Sequence, residues 1–199
     1  ALDARTGDVA WDVEVGDWTI GQHYSGGPMV IKGRVVAGMS GCYHLNTRCW
    51  VSAHDVETGE EVWRTYTIPG RGECGYDTWG DIPEEDRRGG SAWNSPSYDP
   101  ELNLVYWGTG NPGPDWNGDD RLGDNLYSDS VIAVDPSTGA RKWHFQFTQH
   151  DVWDYDGNSE IWLVNVEIDG QQVPALAQAN RNGYLYLLDR RDGRFLRAT

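Results

Sequence analysis

The 199-residue chain carries 31 acidic against 16 basic side chains, a net charge of −15 at pH 7. That balance argues against a nucleic-acid partner and an anionic membrane surface, and suits small-molecule chemistry or a cationic protein partner. Eleven Trp and 25 Gly, without long helical periodicity, indicate an all-β chain.

In chain order, a first unit runs Ala1-Leu2-Asp3, then Gly7, then Trp11. Gly27–Gly38 reads as a hairpin turning at Lys32-Gly33. Cys42 and Cys49 flank a short loop, a spacing that fits a local disulfide in an oxidising compartment or two buried thiols, but not zinc. Cys74 stands alone. A second unit follows at Ala53-His54-Asp55, Gly59 and Trp63. Residues 65–90 are rich in Gly, Pro and charge and read as loop. Asn103–Gly108 is a strand, and Asn111–Asn125 a long turn-rich loop without strand pattern. The third unit is Ala133-Val134-Asp135, Gly139 and Trp143. Gln149–Asn158 is polar and aromatic, and Ala175–Leu188 holds two strands around Arg181-Asn182-Gly183. The fourth unit, Leu187-Leu188-Asp189 and Gly193, has Arg197 where the Trp should fall.

Each unit reads as strand, tight turn, strand, with Asp entering the turn, Gly supplying a positive φ, and a large aromatic on the return strand. Recurrence at intervals of about fifty or eighty residues predicts a β-propeller or solenoid. The extra length in the longer interval predicts loops on a functional face. Three to four blades do not close a ring, so residues 1–199 are expected to be one incomplete propeller domain, a piece of a larger chain. Three tryptophans belong to the repeats, and the others are expected to cluster in loops around a site.

The densest chemistry lies in His150-Asp151-Val152-Trp153-Asp154-Tyr155-Asp156. In an extended backbone Asp154 and Asp156 would point to the same side. Two converging carboxylates repel, a metal ion relieves that repulsion, and a carboxylate not fully engaged is a general base. A solvated acidic turn would use the same residues. Asn111, between Gly110 and Pro112, offers a hard neutral oxygen, or only an Asn-Pro turn. Trp93 after Gly89-Gly90-Ser91-Ala92 offers a flat face for a planar ring, or a core side chain. Arg181 suits planar carboxylates or quinone oxygens, or is simply a surface arginine.

Read as one string, Gly89-Gly90, Trp93, Ser97-Tyr98-Asp99-Pro100, Gly108-Thr109-Gly110-Asn111-Pro112, Gly123-Asp124-Asn125, His150-Asp151-Val152-Trp153-Asp154-Tyr155 and Asn180-Arg181-Asn182-Gly183 resembles the pyrroloquinoline quinone (PQQ)-dependent alcohol dehydrogenases. The likeness covers essentially the whole chain. It implies about half of an eight-bladed β-propeller with tryptophan-docking repeats, and a periplasmic location. It implies that an alcohol gives up a hydride to metal-bound PQQ, with electrons leaving to a c-type cytochrome or a quinone. Position by position, it makes Trp93 the floor under the quinone, Arg181 a donor to its oxygens, and Asp154 the catalytic base. Ser25, Ser40, Gly41 and Cys42 would line the quinone. Asn111, Asp154 and Asp156 would hold the metal, calcium or a lanthanide, Asp156 matching the carboxylate that marks the lanthanide-using branch.

Two departures accompany the resemblance. The family's Glu ligand falls at Tyr43 when counted forward from Ser40 and at His44 when counted back from Arg48. The Cys42–Cys49 loop resembles a branch acting on sugars or polyols. Asp115 is an insertion between Pro114 and Trp116, near the expected substrate entrance. A different outcome from the same repeats would be a non-catalytic propeller scaffold of the outer-membrane assembly lipoprotein type. Such a scaffold needs the repeat Asp, Gly and Trp but not Trp93, Asn111, Asp154 and Arg181 together.

Overall fold

The computed structural model describes all residues from Ala1 to Thr199. Its strands are β1 (Met29–Ile31), β2 (Arg34–Gly38), β3 (Trp50–Asp55), β4 (Glu61–Tyr66), β5 (Arg88–Gly89), β6 (Ser97–Asp99), β7 (Leu104–Gly108), β8 (Pro112–Gly113), β9 (Ser130–Val134), β10 (Arg141–Gln146), β11 (Trp162–Ile168), β12 (Gln171–Ala179), β13 (Leu185–Asp189) and β14 (Phe195–Ala198). They form three four-stranded antiparallel sheets, β1-β2-β3-β4, β6-β7-β9-β10 and β11-β12-β13-β14. β5 pairs separately with β8, inside the segment expected to be a long strandless loop.

The three sheets pack face to face, and the period-two pattern of the middle one shows how. Val105, Trp107, Ile132 and Val134 share a buried cluster with Ile31, Val36, Val51 and Ala53 of the first sheet. The alternate residues Leu104, Tyr106, Val131 and Ala133 share another with Leu176, Tyr186 and Leu188 of the third. β7 and β9 are therefore apolar on both faces, as expected for an inner layer.

The repeated unit is the turn between the last two strands of a sheet. In the second copy the Gly59 N–H donates to the Asp55 carbonyl (2.8 Å), and Asp55 Oδ1 accepts from Glu57 (3.0 Å) and Thr58 (3.2 Å). The other copies repeat the Gly-to-Asp bond, at Gly7, Gly139 and Gly193. Each tryptophan then lies on the glycine of the next copy. A Cβ on Gly59, Gly139 or Gly193 would fall 2.6, 2.7 or 2.5 Å from Trp11, Trp63 or Trp143. Trp11 and Trp63 also donate their indole N–H to the carbonyls of Val56 and Pro136, both at 2.9 Å. At the third joint the matching carbonyl, Arg190, accepts the Tyr106 hydroxyl (2.8 Å), and Trp143 Nε1 is buried without a partner.

Two expectations need correction. The first copy forms its turn, but its flanks make only the isolated bridge Leu2–Val9 rather than a pair of strands. Nor do the non-repeat tryptophans all sit in loops: Trp50, Trp107 and Trp162 lie in β3, β7 and β11, the first two buried.

Candidate functional site

The long connections between the sheets converge at one place. Cys42 and Cys49 form a disulfide (S–S 2.05 Å, Cα–Cα 5.4 Å), buried with Met39 and Trp50. The closed loop presents Tyr43, whose hydroxyl donates to Asn111 Oδ1 at 2.8 Å. His44 is exposed, and its carbonyl accepts the Thr47 hydroxyl. Of the two residues at the departure from the family pattern, Tyr43 is the one that meets Asn111.

Asn111 is buried just beyond β7. Its backbone N–H donates to Asp156 Oδ1 (2.9 Å), and its Nδ2 donates to Asp115 Oδ1 (2.8 Å). Asp115 thus sets the amide so that Oδ1 faces Tyr43. Gly110 lets this carboxylate close in, since a Cβ there would lie 2.8 Å from Asp156 Oδ1.

Asp154 and Asp156 meet, but not by the expected route. Residues 151–158 contain no strand, and both aspartates adopt positive φ, +62° and +59°. In the left-handed region the alternation of an extended chain does not apply. Arg181, in the turn between β12 and β13, joins them instead. Its Nη1 donates to Asp156 Oδ2, and its Nη2 lies 3.8 Å from Asp154 Oδ2. Trp93 stands beside this group with 37% of its surface exposed. Its carbonyl accepts the Ser25 hydroxyl (2.9 Å), which also meets Ser40 Oγ at 2.8 Å. Gly41 follows at φ +77°, where a Cβ would collide with the Gly21 carbonyl.

Burial pushes the Asp154 carboxyl up from its ordinary range. Arg181 opposes the rise, and Asp115 and Asp151 add to it. Asp156 is likewise raised by burial, against the Asn111 N–H and Arg181. The Tyr43 hydroxyl is also raised, first by burial and then by Asp156 and Asp115, so the phenol holds its proton. Beyond Tyr43 and Asp115 lies an open cavity of about 450 Å³, lined also by Arg88, Pro114, Trp116 and Asn117.

This donor set fits a hard cation. Two carboxylates, each with its charge disfavoured by burial, Asp154 further by Asp115 and Asp151 and Asp156 by Asp154, face a single guanidinium, with a neutral amide oxygen alongside. Trp93, partly exposed and within reach of the Asp156 carboxylate that Arg181 holds, fits a planar anionic ring. Fold and site together define a propeller segment whose loops gather these charged and aromatic side chains at one place.

A family model described as the PQQ glucose/ethanol/alcohol dehydrogenase beta-propeller domain matches residues 21–198. The quinohemoprotein alcohol dehydrogenase ADH IIB of Pseudomonas putida is 41% identical over 100% of this chain and 30% of its own length. The lanthanide-dependent methanol dehydrogenase of Methylacidiphilum fumariolicum (strain SolV) is 38% identical over 100% of this chain and 35% of its own. A solved europium-containing methanol dehydrogenase superposes with a TM-score of 0.91 at 37% identity, over 100% of this chain and 37% of that one. The chain belongs to the PQQ-dependent alcohol dehydrogenase propeller family. It spans about a third of the length of the curated relatives it matches.

Some residues around the site were not singled out in the sequence. Arg121 and Asp129 are both fully buried; Arg121 lies in the stretch read as a turn-rich loop, and Asp129 between that loop and the third unit, where the sequence suggested no element. Asp99, legible only as part of a motif, pairs with Arg190 at 2.7 Å and ties the second sheet to the third.

Proposed function

We propose that the protein of which this chain is part oxidises alcohols with PQQ and one metal ion. The observation that carries this reading is Arg181 spanning Asp154 and Asp156, with the partly exposed Trp93 beside Asp156. Trp93 would support the ring, and Arg181 would donate to its oxygens. Ser25 and Ser40, already bonded to each other, would face its carboxylates, with Gly41 and Cys42 completing that wall. Asp154, Asp156 and Asn111 would hold the cation. When bound, PQQ and its metal would supply the hydride acceptor and a Lewis acid. Asp154, the more exposed of the two carboxylates, would take the proton from the substrate hydroxyl.

For the substrate we propose a sugar or polyol as readily as a simple alcohol, since Tyr43, Asp115 and Asn117 give the adjoining cavity a polar wall. Electrons would leave to a c-type cytochrome or a quinone. The acidic surface would steer a basic cytochrome, and the disulfide accords with a periplasmic location. A scaffold would give Arg181 and the aspartates no task. The test is titration of the full-length protein with PQQ and metal, read by quinone absorbance and dye-coupled alcohol oxidation. Saturable binding with turnover is expected, and binding without turnover of any alcohol or polyol would overturn the reading.

A further inference from the structure

Behind the site lies a buried ionic cluster that the proposed chemistry leaves without a task. Asp129, at φ +48°, has 0% of its surface exposed, and neither of its carboxyl oxygens finds a hydrogen-bond donor. An ionised carboxylate in that state is strongly disfavoured. The charged groups facing it are Asp151 and Asp156 from the 150–158 loop and Arg121 from the 111–125 loop. The Phe147 backbone N–H binds only its carbonyl.

Asp151 is also fully buried, and both its oxygens are in use. Oδ1 accepts the Trp153 N–H (2.9 Å) and Oδ2 the Tyr155 N–H (2.8 Å), the two amides that flank Asp154. Arg121, fully buried, donates to the carbonyls of Pro114 (3.0 Å), Asp115 (3.2 Å) and Asp151, and to Asn125 Oδ1 (2.9 Å). One guanidinium thus fastens the loop whose Asp115 orients Asn111 to the loop that carries Asp154.

The charges do not balance as drawn, because one buried cation meets two fully buried acids. A single proton restores neutrality, and the hydrogen bonds say where it sits. Asp151 already accepts at both oxygens, whereas Asp129 lacks any donor and faces an acceptor. Burial first, then the charge of Asp151 and a hydrogen bond with it, push Asp129 up to about 10, with Arg121 opposing.

We propose that Asp129 keeps its proton in the folded protein and donates it in a hydrogen bond to Asp151, making Asp129 a positioning residue that holds the Asp154 loop against Arg121. The positioning role rests on the alcohol-oxidising reading, but the proton does not.

The test uses the full-length protein and three readouts. Infrared difference spectra between wild type and Asp129→Asn at pH 8 should show the carbonyl stretch of a protonated carboxylic acid in the wild type alone. In melting, the folded-state value lies above the ordinary 3.8, so wild-type stability is lost as pH climbs from there toward about 10. Asn supplies the donor without titrating, so Asp129→Asn should melt higher than wild type at pH 8, the gap closing toward pH 4. In the PQQ- and metal-loaded enzyme, Asp129→Asn should retain turnover. Asp129→Ala should lose up to ~10²-fold in kcat with little change in KM.

Absence of the acid band, or an Asn variant that melts lower at pH 8, overturns the proton assignment. The band with a fully active Ala variant overturns the positioning role. A wild type that shows the band and the melting trend but oxidises no alcohol supports the proton and overturns the catalytic reading.

Discussion

One guanidinium, Arg181, faces Asp154 and Asp156 together, and the two carboxylates differ in what else they touch. Asp156 is 5% exposed and already bonded to the Asn111 N–H, whereas Asp154 is free on its open side. Replacing Asp154 by Asn in the loaded full-length enzyme should lower kcat by ~10²–10⁴-fold while PQQ still binds, as read by turnover and quinone absorbance. Tyr43 donates to Asn111 Oδ1, the oxygen that the proposed metal would need, so the two would compete for one acceptor. Tyr43→Phe should therefore tighten metal binding several-fold, measured by calcium and lanthanum titration of the metal-depleted protein. In the proposed site the choice of metal would belong to Asp156, whose carboxylate would add the charge that favours a trivalent ion. Asp156→Ala should lose lanthanum-supported turnover more than calcium-supported turnover, and equal loss with both would make Asp156 a bystander.

At the scale of elements, the joint between neighbouring sheets is an indole laid on a glycine. Trp63→Ala should destabilise the protein by about 3 kcal/mol, through lost packing and the lost bond to Pro136. Gly139→Ala should cost about 2–4 kcal/mol, since φ is +75° and the new methyl would meet Trp63. Denaturant midpoints of the full-length protein measure both. These joints were legible because Asp, Gly and Trp recur at fixed offsets, and a turn of this kind needs those residue types. The hairpin at Lys32-Gly33 and the pairing of Cys42 with Cys49 were legible for the same local reason. The path of residues 150–158 was not. Asp151 folds the segment from within by accepting the Trp153 and Tyr155 N–H groups, but Asp154 and Asp156 are also held from outside it, by Arg181 and the Asn111 N–H, and no local pattern announces those contacts. Tyr43 could not be chosen over His44 by counting, because the disulfide ring decides which side chain turns inward.

For the whole molecule, the three sheets do not form a closed ring. The middle sheet has no large apolar side chain exposed from its strands, while the first exposes Val30 and Val62 and the third Trp162 and Phe195. The 199 residues expressed alone should therefore self-associate and fail to oxidise alcohols with added PQQ and metal. A monomer that unfolds cooperatively and turns over would contradict this, as seen by light scattering and dye reduction. The site draws on connections from all three sheets, so the packing of the sheets as well as the bonds between its loops sets its geometry.

The glycine-and-indole joint has a consequence for how such a chain lengthens. Each repeat carries one half of the joint for the neighbour before it and the other half for the neighbour after. A gene segment duplicated in tandem brings both halves with it, so ancestral copies match without a new interface having to arise. The fourth copy departs from this rule, since Arg197 occupies the indole position and is exposed. A duplicate placed after it would offer its glycine to no tryptophan, so lineages descended from such an event would first have to mend that position.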